Sequence, residues 1–86
     1  MPGGDLVSQG LRDLASGEDT IASLLVLVGA PRLRRLGLAV PQRPTPEVEH
    51  RLYERLAASD ADSAHSRYNA LIRLLVSFER AAECAG

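Results

Sequence analysis

The sequence contains no tryptophan, one phenylalanine and two tyrosines in 86 residues, and no lysine: all ten of its cations are arginine. So few strand-favouring aromatics, beside 14 Leu and 12 Ala, argue against a β-sandwich or barrel and for helices. The single cysteine, Cys84, has no mate for an internal disulfide, which fits a reducing compartment and a cytoplasmic protein. No apolar run approaches the roughly 20 residues a membrane-spanning helix needs; the longest, Ile21 to Ala30, is interrupted by Ser23. Met1 to Asp5 lack the basic cluster of an export signal. A net charge of −1 gives the chain as a whole no attraction for nucleic acid or an anionic membrane, so any such binding needs a local patch. Exclusive use of arginine suits a GC-rich bacterial genome.

At this length one core is expected, hence a single domain over residues 1–86. The prolines at 41, 44 and 46 remove backbone donors and form a hinge over 41–46, between an N-terminal helical half at 5–37 and a C-terminal helical hairpin at 46–84. Asp5 offers a cap for a helix carrying Val7, Leu11, Leu14 and Ala15 on one face, and Gly17 suits the left-handed position beyond its end. Asp19 or Thr20 can cap Ile21 to Val28, which is apolar on every side. Pro31 opens a short helix that Gly37 ends. Thr45-Pro46-Glu47 reads as the start of a helix reaching about Ala58, with Val48, Leu52 and Leu56 in one stripe and Glu47 pairing with Arg51. From about Asp62 the pattern is helical nearly to the end. The expected fold is therefore all-α, a small bundle of four to five helices with a long C-terminal helix.

That last helix is the most informative element. Ala61, Ala64, Tyr68, Leu71, Leu75, Phe78 and Ala82 recur at alternating spacings of three and four, the seam of a helix packed at a shallow angle. Ala70, Leu74 and Ala81 widen the apolar sector on one side, and Ile72 and Val76 on the other, beyond the roughly 100° of a one-sided helix. So small a chain has few neighbours to cover it, and the second helix competes for the centre. The expected partner-binding residues are accordingly Tyr68, Leu71, Leu75 and Phe78, with His65, Arg67 and Asn69 as polar specifiers at the margin. Arg67 falls inside the apolar sector and invites an ion pair with Asp60, Asp62 or an acid of another chain.

Residues 31–43 carry four arginines and no acid. Arg32, Arg34 and Arg35 beside a helix start could hold phosphate or nucleic acid, or could dock on the protein's own first helix through Asp5, Asp13, Glu18 or Asp19. Thr20 to Leu38 loosely resembles a helix-turn-helix, and Gly29-Ala30-Pro31-Arg32-Leu33-Arg34-Arg35 resembles the opening of the recognition helix in MerR-type regulators. The resemblance covers under a quarter of the chain and implies a DNA-binding role. It departs at Leu25, where that motif takes a small residue, and at Gly37, which stops the would-be reading helix early.

Two histidines and one cysteine, none at ligand spacing, suggest no metal site, and Asp60-Ala61-Asp62 fails as a calcium loop because its twelfth position is Leu71. No set of acid, base and nucleophile can be assembled, so neither an enzyme nor a cofactor nor a small-molecule substrate is expected. The expected function is protein–protein interaction through the C-terminal helix, as a regulatory, adaptor or antitoxin-like subunit that forms a homo-oligomer or binds a second protein chain. The alternative is a DNA-binding regulator using residues 20–38.

Overall fold

The most apolar segment takes the centre. In a computed structural model describing residues 3–41 and 46–85, helix α1 is Gly4–Ala15, α2 Ile21–Val28, α3 Ala30–Arg35, α4 Val48–Ser59 and α5 Ala64–Ala85. No strand occurs among the described residues, and the protein is an all-α bundle. From Ala22 to Leu27 every residue of α2 is buried, because α1 and α4 lie against it while α3 and α5 touch it more lightly. A helix with no polar face is stable only with neighbours all round, and here the chain supplies them itself. Leu24, Leu25 and Val26 meet Leu33 of α3 and Leu52 and Leu56 of α4 in one core, to which α1 adds Val7 and Leu14. Segments on both sides of the proline-rich stretch thus share a single core.

The α1–α2 crossing is close because residue 10 is glycine. A Cβ there would overlap the Ala22 carbonyl oxygen and Val26 Cγ2 and would sit 2.9 Å from the Ala22 carbonyl carbon. A polar chain locks the same junction. The Gln9 amide donates to Asp13 Oδ1 at 2.9 Å and the Thr20 hydroxyl to Asp13 Oδ2 at 2.6 Å, while the Ser23 N–H donates to Thr20 Oγ1 at 3.1 Å and the Thr20 N–H to Ser23 Oγ at 2.8 Å. The last two bonds form a reciprocal capping box at the start of α2. The Thr20 and Gln9 bonds hold the Asp13 carboxyl below its ordinary value.

Gly17 and Gly37 follow α1 and α3 with φ of 77° and 94°, the left-handed ends expected of them. Other local expectations are corrected. Gly3, not Asp5, caps α1, and Asp5 lies in the first turn, where the helix dipole still favours its charge. Helix α4 begins at Val48 because Glu47 adopts a left-handed φ of 53°, which a right-handed helix cannot include; Thr45, the expected cap, lies outside the described residues. Of the expected hinge, Gln42 to Thr45 are likewise outside them. Arg51 pairs with Asp19 at 3.3 Å instead of with Glu47, bracing α4 against the α1–α2 connection.

Candidate functional site

Twenty-two residues make α5 about 33 Å long at 1.5 Å per residue, against a longest molecular dimension of 38 Å. It runs almost the length of the protein, over shorter helices. Its inner line is sealed by its own chain. Ala64 is inaccessible, Leu75 lies against Gly29 and Phe78 against Gly3, and Tyr68 and Leu71 are half-buried, Tyr68 at a ring-centroid distance of 5.8 Å from Tyr53 of α4. Burial, together with nearby Glu49, pushes the Tyr68 hydroxyl up. Leu75 and Phe78, expected at an outer interface, are therefore core residues.

What α5 leaves uncovered are its flanks. On one, Leu74 is 40% exposed. On the other, Ile72 and Val76 are half-buried and face Val28 and Pro31 across a groove of about 310 Å³ between α5 and the α2–α3 junction, with Gly29 and Leu75 also in its lining. Asn69 lies on the same side, one turn before Ile72, and its amide donates to His65 Nε2 at 3.3 Å. Two of the three expected polar specifiers are thus bonded to each other. Arg67 is exposed and makes no ion pair with Asp60 or Asp62; its charge reaches solvent, as a residue at the edge of a packed seam allows.

Glu79 lines the groove and is only 4% exposed. Its carboxylate stands 3.7 Å from the Arg32 guanidinium, which bonds more closely to Glu83, at 2.7 Å from one terminal nitrogen and 2.8 Å from Nε. Burial raises the Glu79 carboxyl above its ordinary value, with Arg32 opposing and Glu83 reinforcing the rise. This triad corrects the sequence reading of the arginine patch: Arg32 docks on the acidic end of α5, not on α1. Arg34 is engaged as well, donating to the Val40 and Pro41 carbonyls at 3.2 and 3.0 Å. Of the three arginines considered for phosphate, Arg35 alone is exposed and without a partner among the described residues, and α3, the would-be reading helix, has six residues.

Glu79 was missed in the sequence because its charge suggested solvent. Its position four residues after Leu75 and three before Ala82 places it on the seam, and that spacing was the available signal. Among the described residues no cluster of His, Cys, Asp or Glu could hold a metal ion, and no helix is long and apolar enough to cross a membrane.

Comparison of the chain with known protein families, curated proteins and solved structures finds no match.

Proposed function

We propose that this protein is a protein–protein interaction module that docks a partner on α5, serving as a regulatory, adaptor or antitoxin-like subunit in a bacterial cytoplasm. The observation that carries this reading is the groove between α5 and the α2–α3 junction: Val28, Pro31, Ile72 and Val76 form its apolar walls. An apolar groove with polar groups at its margin is the usual anatomy of a docking surface. Asn69 and His65 stand at one end of that face, and the Arg32–Glu79–Glu83 triad at the other.

The test is site-specific photo-crosslinking in the source organism, with the crosslinker placed at Val76 or, as control, at Ser8 on the exposed face of α1. A discrete adduct from Val76 and none from Ser8 is the expected result. Absence of any Val76-specific adduct, to a second copy or to another protein, refutes the reading.

A further inference from the structure

The groove carries a charge pattern that specifies what fits it. The acid in its lining is already taken, since Glu79 is buried and faces Arg32, and the neighbouring Glu83 is bonded to Arg32 as well. Of the surrounding cations Arg32 is held by these two acids, and three others are not held. Arg35, on the α3 wall, is exposed and makes no ion pair or side-chain hydrogen bond among the described residues. Arg73 and Arg80 are equally exposed and unpaired, and they lie three residues before and four residues after Val76, the neighbouring positions on a helix surface. An apolar trough is therefore bordered by uncompensated arginine on both walls, in a protein whose net charge is −1.

We infer that the groove binds an acidic amphipathic segment of another protein, seating apolar side chains between Val28, Pro31, Ile72 and Val76 and carboxylates against Arg35, Arg73 and Arg80. The inference rests on the interaction-module reading and adds the partner's chemistry to it. Arginine suits the role, because its planar guanidinium can hold a carboxylate with two parallel hydrogen bonds. A basic segment would meet three like charges with both local carboxylates already engaged, and a neutral one would leave the rim without partners.

The probe is a displayed library of random 16-residue peptides selected on the intact protein, with the recovered sequences measured by fluorescence anisotropy. Expected are peptides with Asp or Glu beside Leu, Ile or Val at helical spacing, whose affinity falls at least tenfold in the Arg35→Glu/Arg73→Glu double variant and falls with added salt. Both changes are at exposed, unpaired positions, so folding is preserved, and circular dichroism confirms it. Arg55→Glu on exposed α4 is the charge control and leaves affinity unchanged. Basic or uncharged consensus peptides, recovery of no peptide that the double variant weakens, or a stable dimer of this chain closed over the groove overturns the inference. If the Val76 crosslink forms while the selected peptides are not acidic, only the partner chemistry fails; if the crosslink is absent too, the docking function fails with it.

Discussion

Replacing Gly10 with alanine tests the α1–α2 crossing on which the core depends. In an exposed helix the change would stabilise by about 1 kcal/mol, because alanine is the better helix former. Here the added methyl enters space held by the Ala22 carbonyl group and Val26 Cγ2. Val26 can give a little, but the Ala22 carbonyl is backbone and cannot rotate aside, so α1 must shift as a unit. That shift would loosen Val7 and Leu14 and strain the Gln9–Asp13–Thr20 hydrogen bonds. Overpacking of this kind costs about 1–3 kcal/mol, and more where backbone must move. Because backbone must move, the cost falls at the upper end, about 3 kcal/mol; subtracting the propensity gain of about 1 kcal/mol leaves a net loss of about 2 kcal/mol, which in a domain of this size lowers the melting temperature by roughly 8–16 °C. Thermal and urea denaturation followed by far-ultraviolet circular dichroism measure it, with Ser8→Ala on the exposed face of α1 as the control that gains propensity without overlap. If Gly10→Ala melts at or above the wild-type temperature, the close crossing is refuted.

Two further outcomes are expected. Thr20→Ala removes both the α2 cap and a hydrogen bond to Asp13, at a cost of about 1–2 kcal/mol. Because the folded Asp13 carboxyl lies below its ordinary value of 3.8, its contribution is complete above that pH and is lost as pH falls through the folded value. Acid titration of the urea midpoint should therefore show a shallower decline in Thr20→Ala than in the wild type. Glu79 has the opposite sign: its folded carboxyl is raised above 4.5, so the native state holds the proton more tightly and stability falls as pH rises from 4.5 through the folded value. Glu79→Gln removes that slope, and identical pH dependence of the two proteins would show that Glu79 is not buried as described.

Local signals placed most of the helices. The Thr20 cap, the isotropic apolar run of α2, the left-handed glycines after α1 and α3, and the Leu52–Leu56 stripe of α4 each act within one or two turns, where sequence neighbours are also spatial neighbours. The excess apolar width of α5 was legible for the same reason, and its Ile72–Val76 side does border the groove. Local reading failed where two neighbouring signals competed, as at Glu47, whose left-handed backbone displaced the helix start that Pro46 advertised.

Tertiary structure alone decided which of two apolar helices became the centre. Composition made α2 and the α5 seam equal claimants, and packing answered by enclosing α2 on all sides and leaving α5 a covered inner line with open flanks. It also chose the partners of the arginines. Arg32 meets Glu83 across 51 positions and Arg51 meets Asp19 across 32. Charge spacing along the chain names candidates for such pairs but not distances, because an ion pair is selected by where rigid helices already stand, and the apolar core sets that placement.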